Sequence, residues 1–222
     1  MSTVLAAIEK SELGDRIITE RQLAEAVGGS PARRYGLVNR ALKDGILLRL
    51  KRGLYTLAPR YRSSTLHPYT VAQALLPGSY VSFQSALSFH GWAPEAVYAT
   101  ASVTPQRKSV AYDIDAIGHY TFSPLATNPY QFLVGVERRR LGGLVAFVAS
   151  PLRALMDIVA ATKTPWSGMD WVTQGMRVDI DALVSLSPAV FLEMRGVYKH
   201  KSALAFLAAL DADIARMQRR HD

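Results

Sequence analysis

Residues 30–57 read SPARRYGLVNRALKDGILLRLKRGLYTL, a helix with both ends marked followed at once by a short basic hairpin. Ser30 is a good N-cap, Pro31 suits the first helical position, and Gly45 supplies the left-handed residue that ends a helix after Asp44. Between those limits Val38, Ala41 and Leu42 share one face. The opposite face carries Arg33, Gly36, Arg40 and Lys43, spaced so that their side chains form one stripe. Strand-like runs at 46–50 and 54–57 then flank Lys51, Arg52 and Gly53, where glycine permits the positive φ of a tight turn. A cationic helix followed by a cationic hairpin predicts a recognition helix and its wing.

The residues upstream complete such a module. Thr19 and Gln22 form a capping-box signature, and Leu23, Ala24 and Val27 give the helix they open an apolar side. The sequence Gly28-Gly29-Ser30 breaks that helix and turns the chain into the basic one, as a helix-turn-helix requires. Residues 3–10 add a first helix, with Val4, Leu5 and Ile8 at helical spacing.

Charge follows the same division. The chain carries a formal charge of +8, and residues 1–64 hold twelve lysines and arginines against six acidic residues, so most of the excess lies where a polyanion would dock. No apolar run approaches the roughly 20 residues of a membrane-spanning helix, and the N-terminus lacks the long apolar core of a signal peptide. With no cysteine, disulfides and thiolate metal sites are excluded. These features point to a cytoplasmic protein whose partner is double-stranded DNA rather than a membrane.

The fold expected is α+β. An N-terminal winged helix-turn-helix occupies residues 1–64, with PRYRSS at 59–64 as linker, and a second, mixed α/β domain with a helical C-terminus fills 65–222. In that domain the pattern predicts helices at 68–76 and 83–90, the latter capped by Ser82, after an extended run at 80–83. Strands are expected at 97–103, 109–114, 118–122, 132–136 and 144–148, followed by helices at 152–161, 180–186, 189–194 and 202–217.

Three stretches resemble the AbiEi-type antitoxins and related transcriptional regulators of bacterial and archaeal toxin-antitoxin loci. They are the hairpin 50–55 (LKRGLY), the segment 80–91 (YVSFQSALSFHG) and the helix start 149–157 (ASPLRALMD). Their order and separation, rather than any one of them, carry the likeness. The resemblance implies a winged helix that represses its own operon, through an operator that is an inverted repeat. It also implies an antitoxin-like second domain that counteracts a nucleotidyltransferase-like toxin encoded next to it.

Enzymatic alternatives find little support. Asp113 and Asp115 lie two apart in a strand candidate, so that both carboxylates would share one face, but no third ligand has metal-site spacing. His90 precedes a glycine at an expected helix end, where an imidazole interacts well with the terminal carbonyls. Asp157 stands four residues after Arg153 on one helix, the spacing of an intrahelical ion pair. The chain has no phosphate-binding glycine loop, no zinc-protease HExxH and no nucleophile elbow. No catalytic residue, metal or cofactor is assigned.

The binding residues follow from the geometry of duplex recognition. The helix enters the major groove and the wing lies along a phosphate backbone. Arg33 and Arg40 suit guanine edges, because a planar guanidinium bonds O6 and N7 together, while Asn39 suits adenine. Arg34 turns toward the apolar side, where it either reaches a phosphate or packs its stem. Gly36 either lets the helix approach DNA closely or is merely a tolerated helix glycine. Arg49, Lys51 and Arg52 are expected mainly as phosphate contacts, and Lys43 of the cationic stripe completes the DNA-binding set. The run Glu137-Arg138-Arg139-Arg140 covers a hairpin or adds a further phosphate contact.

Overall fold

A computed structural model describes residues 2–93 and 98–221. The N-terminal module consists of α1 (Thr3–Lys10), β1 (Ile18–Thr19), α2 (Glu20–Val27), α3 (Pro31–Lys43) and the hairpin β2 (Leu47–Lys51) and β3 (Leu54–Leu57). Local chemistry accounts for these limits. Thr19 and Gln22 make both bonds of a capping box at α2, and Ser30 accepts from the Arg33 amide at α3. Gly28, Gly29 and Gly45 adopt positive φ where the chain leaves each helix. Strand β1 pairs with β3, so the three strands run in the order β1-β3-β2, all antiparallel. Val4, Ile8, Ile18, Leu23, Ala41, Leu47 and Leu57 form the buried centre of this winged helix-turn-helix.

A 3-10 turn at Pro59–Tyr61 leads into the second domain. There α4 (Pro68–Leu75), β4 (Tyr80–Val81) and α5 (Phe83–Phe89) precede five strands, β5 (Ala99–Thr104), β6 (Val110–Ile114), β7 (Gly118–Pro124), β8 (Val136–Leu141) and β9 (Leu144–Ala149). Helix α6 (Pro151–Thr162), a π-helical turn at Trp171–Gly175, and α7 (Ile180–Val184), α8 (Pro188–Met194) and α9 (Lys201–His221) complete the described chain. The six strands β4 to β9 form one mixed sheet in the order β6-β7-β5-β4-β9-β8, parallel at β5–β7 and β4–β9 and antiparallel elsewhere. Helix α4 packs on β9, while α6 lies between α5 and α9, and α9 gathers α7 and α8.

Several expectations from the sequence need correction. Residues 132–135 form a turn rather than a strand, and the outer strand is β8, which begins at Val136 and contains the three arginines 138–140. The reason lies in Arg153, whose guanidinium draws in the carbonyls of Gln131, Phe132 and Val134 and so bends that backbone away from a ladder. The strand itself is Tyr80–Val81, and the extended backbone expected at 80–83 ends at Ser82, since Phe83 already has φ 54°. Ser82 precedes α5 without capping it, because its hydroxyl donates to Asp157 instead. Asp115 falls in the β6–β7 turn, so it does not share a strand face with Asp113, which pairs with His119 across the hairpin at 3.1 Å. Of the strand expected at 97–103, Val97 lies outside the described residues.

The two modules do not have wholly separate cores. Leu50 and Leu54 of the wing belong to the large cluster that contains Val71, Leu75, Val103, Phe122, Val148, Leu155 and Phe206. Residues 59–64 are also held in place. The Ser63 and Ser64 amides donate to Asp15 Oδ1 at 2.9 and 3.1 Å, and the Ser63 hydroxyl donates to the other carboxylate oxygen. Those bonds, the Ser63 side chain first, hold the Asp15 carboxyl below its ordinary pKa. Arg62 adds bonds to Thr56 Oγ1 at 2.6 Å and to the Asp15 carbonyl at 3.1 Å.

At the centre of the second domain, Arg153 and Asp157 form the expected i to i+4 pair, Nε to Oδ1 at 2.9 Å, with both side chains 0% exposed. The carboxylate also accepts from Tyr80, Ser82 and Tyr198 at 2.9, 2.7 and 2.7 Å. Arg153 donates further to the Tyr80 hydroxyl at 2.6 Å and to the Val134 carbonyl at 2.7 Å. Burial opposes the charge on Arg153, but Asp157 and the two phenols outweigh it and keep the guanidinium cationic. This network joins β4, the 131–134 turn, α6 and the segment before α9, and its interior position gives it a structural role.

Candidate nucleic-acid interface

On α3 the expected division of faces holds. Leu37, Val38 and Leu42 pack against the N-terminal core and Ala41 is buried in it, whereas Arg33, Gly36, Arg40 and Lys43 are exposed. Asn39 is half-buried at the margin. A Cβ at Gly36 would meet nothing within 4 Å, so no contact inside the chain demands glycine there. At Gly29, by contrast, a Cβ would lie 2.8 Å from Arg33 Nη1, and φ is +81°. That glycine is needed for the turn between α2 and α3.

Arg34 is engaged within the chain. It is half-buried, and its Nη1 donates to the Gly29 carbonyl, which braces the same turn. Arg60, from the 3-10 turn, donates to the carbonyls of Asp44 and Gly45 at 3.2 Å each, placing a cation at the negative end of α3. Sequence reasoning counted Arg60 only as charge, because its partners lie at least 15 residues away.

The wing differs from a free hairpin. Its turn is the two-residue step Arg52-Gly53, and the Gly53 carbonyl accepts from the Glu20 amide at 2.8 Å, which ties the tip to the start of α2. Arg49 is exposed, with its guanidinium 5.8 Å from the ring centre of its cross-strand neighbour Tyr55, and Arg52 is exposed at the tip. Lys51 points the other way: its ammonium donates to the Leu75 carbonyl at 2.6 Å, at the end of α4. The structure therefore brings Arg49 and Arg52 to the face of α3 and does not bring Lys51 there.

Between α2, α3 and the wing lies a concavity of about 920 Å³, lined by Arg34, Tyr35, Asn39, Arg49, Arg52 and Tyr55 among others, with Glu20 as its acidic group. Tyr35, which sequence reasoning passed over, stands 74% exposed on its wall. The signal was present as spacing: Tyr35 precedes Asn39 by one helical turn, but attention to the cations hid it. The exposed face of α3 runs through Ala32, Gly36 and Lys43, with Arg33 and Arg40 on one flank and Tyr35 on the other, next to the half-buried Asn39.

Among the described residues no group of three or more histidines and carboxylates is placed to hold a metal ion. His90, half-buried after α5, bonds the Ala149 carbonyl through Nε2 at 2.9 Å, and burial lowers its pKa. It joins the end of α5 to the end of β9. No described helix is long and apolar enough to cross a membrane.

No family model matches the chain, and no curated protein matches its sequence. Among solved structures, the crystal structure of the RV2827C protein from Mycobacterium tuberculosis is similar, with a TM-score of 0.58 and 17% identity over 98% of this chain and 79% of that one. The likeness extends through both modules and is a likeness of fold.

Proposed function

We propose that this chain is a transcriptional repressor that binds double-stranded DNA through α3 and the wing and acts as binder rather than enzyme. The observation that carries the reading is the exposed face of α3, which presents Arg33, Gly36, Arg40 and Lys43, together with the concavity on its other flank, where Tyr35 and Asn39 stand opposite Arg49 and Arg52 of the wing. Such a surface offers a major-groove probe and two backbone cations at once. A reporter driven by the gene's own upstream region tests it. The intact chain should repress, and a chain with Arg33 and Arg40 both changed to alanine should not.

The resemblance in the three sequence stretches supports a second activity, neutralisation of a nucleotidyltransferase-like toxin encoded alongside. Because Leu50 and Leu54 pack into the second domain, the test uses the full chain carrying the same two arginine substitutions. Co-expression with the neighbouring toxin should permit growth although repression is lost. Persistent growth arrest with soluble, folded protein would favour a free-standing regulator. One feature supports that alternative: a cleft of about 330 Å³ between the back of the wing and the second domain, where Leu48, Leu57, Leu66 and Ile117 meet Thr56, Arg62, Ser63 and Thr65, has the mixed apolar and polar lining of a small-ligand site.

A further inference from the structure

We infer that Tyr35 is a specificity-determining residue that reads the 5-methyl group of a thymine in the major groove. The inference rests on the DNA-binding reading above and goes beyond it by assigning a base contact to an apolar group. Tyr35 is the large aromatic side chain on the exposed face of α3, and Ala32, also exposed, precedes it by three residues and lines the same concavity. Residues three apart on a helix are neighbours, so the ring and the alanine methyl form an exposed apolar spot in a concavity that also presents Arg49, Arg52 and Asn39. The major-groove edges of base pairs present hydrogen-bond donors and acceptors with one apolar exception, the thymine methyl. An apolar spot on a groove-facing helix therefore matches thymine and no other base.

Its surroundings fix the strand and the neighbour. Arg49 and Arg52 stand across the concavity from Tyr35, where they meet the phosphates of the strand that passes between helix and wing. Asn39 lies one helical turn beyond Tyr35 along the same wall and has the paired donor and acceptor that suit adenine. The thymine read by Tyr35 is accordingly next to, or one step from, the pair read by Asn39. Phosphate contacts cannot supply this discrimination, because they are common to every sequence.

The test uses the full chain and the duplexes that it enriches from a random library. Each thymine is replaced in turn by uracil, which removes only the methyl group. The wild-type protein should bind about fourfold more weakly at one thymine per half-site, the worth of one buried methyl group. Tyr35→Ala should bind the thymine and uracil duplexes equally, and Tyr35→Phe should keep the difference, since the ring and not the hydroxyl makes the contact. Thermal unfolding of Tyr35→Ala controls for folding. Indifference of the wild type to every methyl, or discrimination retained by Tyr35→Ala, overturns the inference while leaving DNA binding intact. Failure to enrich any duplex overturns the DNA-binding reading itself, and this inference with it.

Discussion

The Lys51 ammonium lies 2.6 Å from the carbonyl oxygen of Leu75, so a cation of the wing is engaged in fastening the winged helix to the second domain. Beside it, Leu50 and Leu54 enter the large core. The pose of the wing is thereby tied to α4, and on the proposed DNA-binding reading a change in how α4 packs would alter the surface offered to DNA.

This placement predicts that Lys51→Ala leaves the salt dependence of DNA binding unchanged and instead lowers stability by about 1 kcal/mol, the net worth of one hydrogen bond. Urea unfolding and a salt titration of affinity, run on the same variant, separate the two effects. A salt slope shallower by about one, with stability intact, would assign Lys51 to a phosphate after all.

Helix and wing should differ in what their loss does to sequence preference. Arg40→Ala is expected to lose about 1–3 kcal/mol on the preferred site and to relax discrimination at one base pair. Arg52→Ala should weaken all duplexes alike. Specificity profiles from a mutated-site panel that could not be told apart would refute this division of labour.

Gly36→Ala tests how closely α3 approaches DNA. No atom of the chain opposes a Cβ there, so the substitution should stabilise the fold by up to about 1 kcal/mol from helix propensity alone. Affinity for the operator should fall at the same time. A variant that melts higher and binds as well as the wild type would show that glycine serves no contact.

In the second domain, Asp157→Ala leaves Arg153 buried and uncompensated, and the fold should lose about 3–5 kcal/mol. Replacing both residues by leucine or methionine should cost less than the single change. Denaturant midpoints of the two variants measure this directly, and the reverse order would remove the network from its structural role.

What could be seen in the sequence was local. Thr19 with Gln22, Ser30 with Pro31, and Gly45 declare helix ends within three or four residues, so the helix-turn-helix was legible before any coordinates. The pairing of Arg153 with Asp157 was legible for the same reason, being an i to i+4 relation. Its other partners, Tyr80, Ser82 and Tyr198, lie 41 to 77 residues from Asp157, and no pattern along the chain announces their convergence. The misplaced strand at 132–136 follows from that gap, because the carbonyls that Arg153 gathers there look like ladder carbonyls in sequence. Lys51 and Arg52 are adjacent cations in a turn, and only the fold distinguishes the one that bonds α4 from the one that stays open. Tyr35 was missed because a stripe of charge drew the reading, whereas exposure depends on how α3 lies against the wing.

The most direct test of the central claim is the salt dependence of binding between the full chain and a duplex from its own upstream region, followed by fluorescence anisotropy from about 50 to 200 mM salt. Contacts to roughly four or five phosphates predict a logarithmic slope near −4, together with tighter binding than to an unrelated duplex. Absence of binding at the lowest salt, or an affinity that salt leaves unchanged, would contradict the account.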